Sequence, residues 1–390
     1  MSLNKKASLL FLISLGLFLT LSVMLGFASD NTTLLLILNA FAVSIPAFLI
    51  PSIIYRRKCG FERFHAPRFG MIMIAVVIGV GCILLNVAIG CLNSALTYGI
   101  DINSTALDVE DSLMNSSLAV MVVTVAIIPA ISEEFLMRGA LLESWRRKSA
   151  VGAVLLTSLL FALLHSAPSN IPVYFAMGVV LALVYNITRN VWLSVTVHFI
   201  NNLLSVLVSA LYLDPELMQS LESLDSSSES LTASQEIASY ISGFFSYLFF
   251  AAILIVPMLF ALRAICRRRG IGMYAPVHEA AAAEPRPMLP LYDTKTGRPL
   301  YESDPEAPIY DAQTGEPLYP VRSSAPRFDA NTGAPITNAP LYDSATGKPL
   351  QTQEAESDGL LANPFIWIAI AVLLVLNIFS ALIEFGVISY

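Results

Sequence analysis

The chain has 390 residues, of which 56% are hydrophobic and only 13% are charged, and its mean hydropathy is +0.69. This composition is typical of a polytopic membrane protein and excludes a soluble domain. The formal net charge of −7 is spread over both predicted faces of the membrane, so it does not predict a nucleic-acid partner. The four cysteines show no paired spacing, and neither a disulfide framework nor a cysteine metal site is predicted.

Nine apolar runs are long enough to cross a bilayer. They cover about 7–27, 32–55, 69–97, 116–142, 149–166, 170–187, 190–213, 238–264 and 361–388. The first run lacks a good cleavage site, so we expect a signal anchor rather than a signal peptide. The predicted fold class is all-α, a polytopic transmembrane bundle of about eight core spans with one further C-terminal span.

The basic residues predict how the bundle is oriented. All 22 Lys and Arg fall in the N-terminus, in alternate loops, in the 270–360 segment or, for Arg138, within a span. The loops on the opposite side carry only acidic charges, among them the Ser/Glu-rich stretch 214–236. By the positive-inside rule, the N-terminus is predicted to be cytoplasmic and the C-terminus external.

A composition change divides the chain into a membrane core at 1–264, a cytoplasmic Pro/Gly-rich linker at 265–360 and a last transmembrane helix at 361–390. The linker holds four related ten-residue units that share an aromatic-Asp-x-x-Thr-Gly-x-Pro kernel, at 291–300, 309–318, 327–336 and 341–350. Asp followed by Thr-Gly favours a turn, and Pro favours an extended exit from it. Two interpretations remain open, a disordered spacer and a repeat that recruits a cytoplasmic partner.

The fourth span carries charges that a membrane helix ordinarily excludes. Ionisable groups in hydrocarbon are costly and mark a functional site by default. On a helix, Arg138 lies four residues after Glu134 and is placed to pair with it, which leaves Glu133 on a different bearing. A carboxylate without that partner suits a general base. Pro129 removes a backbone hydrogen bond nearby and is expected to loosen the helix. The alternative is a purely structural ion network.

Two of the four histidines lie in the spans that follow. Phe161 and His165 are four residues apart and share a helix face, as do His198 and Asn202. Imidazoles share a water with a carboxylate, bind zinc or donate to a developing oxyanion, and an asparagine amide donates as well. A single histidine on an apolar face is usually a core residue. Two histidines in the same helix bundle as a Glu-Glu pair favour a functional site.

The depths of these groups do not agree on ideal helices. Counted from the basic residues at the inner surface, Glu133 lies roughly 20 Å deep, His165 roughly 25 Å and His198 roughly 13 Å. A single site requires these depths to agree within a few Å. Tilt, an interfacial segment or shifted helix ends would close the gap.

Together these residues resemble a known family. Glu133-Glu134-x-x-x-Arg138, Phe161-x-x-x-His165 and His198-x-x-x-Asn202, in this order on successive spans, resemble the CPBP family of type II CAAX prenyl endopeptidases and bacteriocin-processing, Abi-type proteins. The similarity covers about 115–213 strongly. The repeats and the ninth span lie outside it.

The resemblance implies a membrane-embedded endopeptidase, in the plasma membrane of a prokaryote. Glu133 and His165 would activate the attacking water, and His198 and Asn202 would stabilise the oxyanion. Glu134, Arg138 and Phe161 would orient the site. Members are often called metalloproteases. If zinc is used, Glu133, His165 and His198 would be its ligands, but an HExxH pair is absent, which favours metal-free water activation slightly.

The predicted function is therefore an intramembrane endopeptidase. Its substrate is membrane-associated: a CAAX-type prenylated protein, a leader peptide or a signalling precursor. The alternative is a non-enzymatic membrane scaffold or bacteriocin-immunity protein with the same fold. A proton-coupled transporter is a third class. No inverted repeat relates the two halves, which argues against transport.

Overall fold

The structure is a computed structural model, and it describes residues 2–27, 31–59, 61, 66–100, 116–212, 219–220, 232–268, 291–292, 299–300, 309–310, 317–318, 361, 363–385 and 387. The chain divides into two compact units, residues 1–277 with 358–390, and residues 278–357. The helices of the first unit, within the described ranges, are α1 (Leu3–Gly26), α2 (Thr32–Lys58), α3 (Phe69–Leu96), α4 (Leu118–Trp145), α5 (Ala150–Leu164), α6 (Ile171–Thr188), α7 (Val191–Tyr212), α8 (Ala233–Arg267) and α9 (Pro364–Glu384).

Eight of these helices are long and apolar enough to cross a membrane. The remaining helix, α5, has 15 residues and is about 22 Å long, less than the roughly 30 Å of a hydrocarbon core. A short 3₁₀ turn, Pro168–Asn170, joins it to α6. Each predicted span corresponds to one helix. The prediction of a polytopic helical membrane bundle is confirmed, whereas the direction in which it crosses the membrane stays a prediction.

Two apolar cores hold the bundle together. One is formed mainly by α1, α2, α4, α5 and α9, and the other by α3 and α8. Both α6 and α7 contribute side chains to each core. Glycines allow the closest helix contacts: a Cβ on Gly79 would lie 2.7 Å from Cβ of Ile200, and a Cβ on Gly81 would lie 2.7 Å from Cγ1 of Ile255. The close approach of α3 to α7 and α8 therefore depends on these two positions.

The helix α4 is not regular along its length. It is π-helical at Val122–Ile127 and again at Phe135–Leu142, on either side of a short α-helical segment, Ile128–Glu134. Pro129 lies at the start of that segment and lacks the N–H that would continue the ladder. The predicted loosening of the helix around Pro129 therefore takes the form of two wider stretches, which occur frequently at functional sites.

In the second unit the described residues form two small hairpins. Strands β1 (Leu291–Tyr292) and β2 (Pro299–Leu300) are antiparallel, with Leu291 opposite Leu300. Strands β3 (Ile309–Tyr310) and β4 (Pro317–Leu318) pair in the same register. The Asp-x-x-Thr-Gly-x stretches between the paired strands, residues 293–298 and 311–316, lie outside the described residues, so the predicted turn stays a prediction. The third and fourth repeats, and the remainder of the predicted disordered spacer, lie outside the described residues.

Candidate active site

Glu134 is the centre of a buried polar cluster. Its side chain and that of Arg138 are both 0% exposed, and Nη1 of Arg138 donates to Oε1 of Glu134 at 2.7 Å. The same oxygen accepts from Nδ1 of His198, on α7, at 3.0 Å. The pair predicted from the four-residue spacing is therefore present. It also extends to a histidine 64 residues further along the chain.

Arg138 links three helices through one guanidinium. Besides its pair with Glu134, it donates from Nη2 to the carbonyl of Gly178 on α6 at 3.0 Å, and its Cζ lies 4.8 Å from the ring centre of Phe161 on α5. A planar cation with several fixed donors suits this combination of hydrogen bonds and ring contact. A Cβ on Gly178 would lie 2.9 Å from Cα of Ser158, so α5 and α6 cross closely at this point.

Phe161 connects the two histidines. Its ring lies edge-to-face against His165 with a centroid distance of 4.8 Å, and against His198 with a distance of 5.7 Å. His165 also stacks on Tyr174 of α6, with centroids 4.0 Å apart. The aromatic contacts therefore fix the planes of both imidazoles. The sequence predicted that Phe161 orients the site, but not which rings it contacts.

The hydrogen bonds assign the neutral tautomers of both histidines. Nδ1 of His165 lies 2.8 Å from the carbonyl oxygen of Phe161. A carbonyl oxygen only accepts, so this Nδ1 carries the hydrogen. Nδ1 of His198 likewise donates to Glu134, whose Oε1 also accepts from Arg138. In the neutral form each imidazole therefore has its lone pair on Nε2.

Glu133 is the carboxylate without such partners. Its Oε2 is buried and has no hydrogen-bond partner in the described part of the chain. Glu133 directly precedes Glu134, which accepts from His198, and the Phe161 ring contacts both His198 and His165. A buried polar oxygen without a partner costs free energy, about 1–3 kcal/mol, unless water or another group fills the position. This oxygen and the imidazole of His165 are suited to holding a shared water.

Asn202 belongs to a chain of amide groups at the edge of the cluster. Its Nδ2 donates to the carbonyl of Val125 at 3.1 Å, and Val125 is the residue four positions before Pro129. Because Pro129 has no N–H, the Asn202 amide supplies a donor to a carbonyl that would lose its helical partner. Asn202 Oδ1 accepts from Asn201, whose own Oδ1 accepts from Asn86 of α3. The oxyanion role of Asn202 stays a prediction.

A second ion cluster explains why Glu134 and His198 lie at the same depth in the bundle, although ideal helices predicted different depths. Glu143 lies 2.7 Å from Arg146 and 4.0 Å from Arg189, and it accepts from the Tyr185 hydroxyl at 3.0 Å. Burial, reinforced by the nearby charge of Arg146, lowers the pKa of Arg189 to about 10.

These contacts place the turn between α6 and α7 level with Glu143 rather than with Arg146, the basic residue that follows α4. Glu134 lies nine residues from Glu143, and His198 lies nine residues from Arg189, so both reach the same level.

The predicted depths of Glu133 and His165 in the membrane also differ, and the direction of their side chains reduces this difference. Side chains on a helix lean toward its N-terminus. In the predicted orientation α4 and α5 run in opposite directions, so this lean carries Glu133 deeper and His165 back toward the inner surface. The contact of His165 with the carbonyl of Phe161, one turn earlier, shows this lean directly.

The conditional zinc ligands, Glu133, His165 and His198, stay a prediction. Within the described ranges, no three His, Cys, Asp or Glu side chains are grouped closely enough to hold an ion. If zinc binds here, the Nε2 atoms of His165 and His198 would be the appropriate ligand atoms, because each Nδ1 is already engaged in a hydrogen bond.

Comparison with known families gives one result. Residues 115–204 match the model of the family described as type II CAAX prenyl endopeptidase Rce1-like. This segment is similar to that family. The predicted CPBP resemblance is thereby confirmed, and the segment contains all three motifs. No curated protein and no solved structure matches the chain. The Rce1-like assignment points to a CAAX-type intramembrane protease, and with the eight apolar helices it supports an integral membrane protein.

Three residues of this Rce1-like site were not anticipated from the sequence. They are Tyr174, which stacks on His165, Gly178, which accepts from Arg138, and Asn86, which begins the amide chain. Only Asn86 carried a visible signal, since it is a polar residue inside an apolar span. Tyrosine and glycine are ordinary in membrane helices and give no such indication.

Proposed function

We propose that the protein is an intramembrane endopeptidase in which Glu133 acts as the general base on a water molecule. The observation that carries the proposal is the buried Oε2 of Glu133, which has no hydrogen-bond partner among the described residues and belongs to the cluster of Glu134, His198, Phe161 and His165. The hydrogen of His165 lies on Nδ1, which leaves Nε2 as an acceptor. A water there donates one hydrogen to Glu133 and the other to Nε2 of His165. Its lone pair is then directed away from both acceptors, toward a scissile carbonyl.

The reaction balances with these residues alone. As the water oxygen bonds to the carbonyl carbon, its proton passes to Glu133 and the carbonyl oxygen becomes an oxyanion. Glu133 then returns the proton to the amine nitrogen as the C–N bond breaks. Cleavage leaves a carboxylic acid and an amine, and Glu133 regains its charge. The acid then passes its remaining proton to the amine, so the final products are a carboxylate and an ammonium group. No step uses a metal ion.

His198 is proposed to stabilise the oxyanion in its protonated form. Its Nδ1 is held by Glu134, so only the imidazolium presents a hydrogen on Nε2. The second N–H of Asn202 would be a further donor.

The substrate is proposed to be a membrane-associated protein or peptide. A CAAX-type prenylated protein is the first candidate, because the matched family is described as prenyl endopeptidases. A leader peptide and a signalling precursor remain in the proposal. The positive-inside pattern supports a site entered from the cytoplasm of a prokaryotic cell, with the N-terminus cytoplasmic and the C-terminus external.

Glu133→Gln tests the proposal, because it removes the base and keeps the shape of the side chain. We expect cleavage to fall by about 10²–10⁴-fold. New protein N- and C-termini would be compared by mass spectrometry in host cells that express the wild type, Glu133→Gln or Glu236→Gln at equal levels. Glu236 lies at the exposed start of α8, where it accepts from Tyr98, and serves as the matched control.

The outcomes separate the candidate functions. Termini that disappear with Glu133→Gln but persist with Glu236→Gln support the peptidase and identify its substrates. Identical profiles in all three strains contradict it. If a biological phenotype then persists, the scaffold or immunity function becomes the better interpretation.

A further inference from the structure

The helix α9 lies outside the matched family segment, yet one of its faces is polar. Asn377, Ser380 and Glu384 are spaced three and four residues apart, so they lie along one side of the helix. Asn377 and Glu384 are buried, with Glu384 only 2% exposed, whereas Ile378 on another side is 60% exposed. Polar residues are costly within a membrane span, and their burial against the protein calls for a partner.

Each of these residues contacts the turn that carries His165. Asn377 donates to the carbonyl of Leu163 at 2.8 Å, and Ser380 donates to the carbonyl of Ser166 at 2.6 Å. The backbone N–H of Ser169 donates to Glu384 at 3.4 Å. The three contacts follow one another along the turn and enclose His165.

This turn is held only in part by its own backbone. The N–H of Ser166 donates to the carbonyl of Leu163 at 3.3 Å, a long hydrogen bond, and water is scarce inside a membrane. Ser166, directly after His165, has φ of +48°, a left-handed conformation that favours glycine. The side chains of α9 add a shorter hydrogen bond to the Leu163 carbonyl and a donor to the carbonyl of Ser166 itself.

The rest of α9 is fixed against the bundle, so its polar face is well placed. Ile366, Ala369 and Leu373 are almost fully buried and belong to the same apolar core as α1 and α4. At the opposite end, Asn363 donates to the carbonyl of Asn4. The helix is thus held along its length and presents its polar residues at the level of the 163–169 turn.

From these contacts we infer that α9 is a positioning element for His165, and that Asn377 and Ser380 are positioning residues of the active site. The inference rests on the proposed function, because the position of His165 matters for catalysis only if this residue binds the attacking water. A misplaced His165 leaves substrate binding intact and lowers the rate of the chemical step. α9 then acts on kcat rather than on KM.

The test uses the full chain in nanodiscs, as Asn377→Leu and Ser380→Ala. Ile378→Leu, on the exposed side of α9, is the matched control, and Ser380→Thr keeps the hydroxyl. The first readout is hydrogen–deuterium exchange of the 163–170 peptide, which requires no substrate. The second is the hydrolysis of an internally quenched farnesylated peptide that ends in a CAAX sequence.

We expect at least tenfold faster exchange at 163–170 in Asn377→Leu and Ser380→Ala, with no change in α7. On the peptide, kcat should fall about tenfold with KM within twofold, and Ser380→Thr should restore it. Unchanged exchange overturns the inference, as does faster exchange with an unchanged kcat. A rise in kcat would overturn it as well and would make α9 an inhibitor.

If the wild type does not cleave the peptide, the proposed substrate fails. The exchange measurement then decides by itself whether α9 holds the turn.

Discussion

Replacing Arg138 tests whether the buried pair at the centre of the site is ionic. Arg138→Met removes the ionic partner of Glu134 and leaves a fully buried carboxylate whose remaining hydrogen bond, among the described residues, is to His198. Breaking a buried ion pair in this way costs about 3–5 kcal/mol of unfolding free energy. Glu134→Gln leaves Arg138 unpaired and should cost a similar amount.

The double variant determines how much of this loss belongs to the pair. If the two changes were independent, their costs would add to about 6–10 kcal/mol. With both charges removed, the main loss is the partner of the Gly178 carbonyl, about 1–3 kcal/mol. We therefore expect the double variant to be no less stable than either single variant, with a coupling energy of at least about 3 kcal/mol.

Equilibrium unfolding by SDS in mixed micelles measures these differences. Arg57→Met is the control, because Arg57 is exposed at the end of α2, and its effect should stay within about 0.5 kcal/mol. Additive effects of the two single changes, or single effects as small as that of the control, would refute a buried ion pair. In that case Glu134 would not be held as a charged acceptor for His198.

Three further predictions concern packing, the amide chain and metal dependence. Gly178→Ala places a methyl group 2.9 Å from Cα of Ser158 and should lower the stability by about 1–3 kcal/mol in thermal unfolding, whereas Gly90→Ala, with nothing within 4 Å, should not. Asn86→Leu removes the donor to Asn201, and peptide hydrolysis should show a lower kcat with an unchanged fold by circular dichroism. Treatment with a zinc chelator should leave the activity intact, and elemental analysis should find well below one zinc per chain. Retained kcat in Asn86→Leu, or activity that chelation abolishes and zinc restores, would contradict the respective prediction.

The features predictable from the sequence are those fixed within one helix. The pairing of Glu134 with Arg138, and the contact of Phe161 with His165, follow from helical periodicity alone. The spans were predictable for a similar reason, since a bilayer requires a run of apolar residues of known length. Family resemblance added the order of the motifs.

The contacts that unite the site depend on how helices are positioned relative to each other. His198 reaches Glu134 because the contacts of Glu143 with Tyr185 and Arg189 set the level of α7, and no local pattern gives this level. The packing of α9 against the bundle was not predictable from the sequence either. An apolar helix of this length has the same hydrophobic pattern whether it packs on other helices or is surrounded by lipid.

The contacts of α9 also have a consequence for biosynthesis. The ribosome makes all three motifs before it makes α9, and 199 residues separate His165 from Pro364. At about 5–20 residues per second, the turn around His165 waits roughly 10–40 s for the partners of its carbonyls. A nascent or prematurely terminated chain therefore contains every motif residue but lacks the helix that holds His165. On this account, the enzyme matures only after its last membrane helix has been inserted.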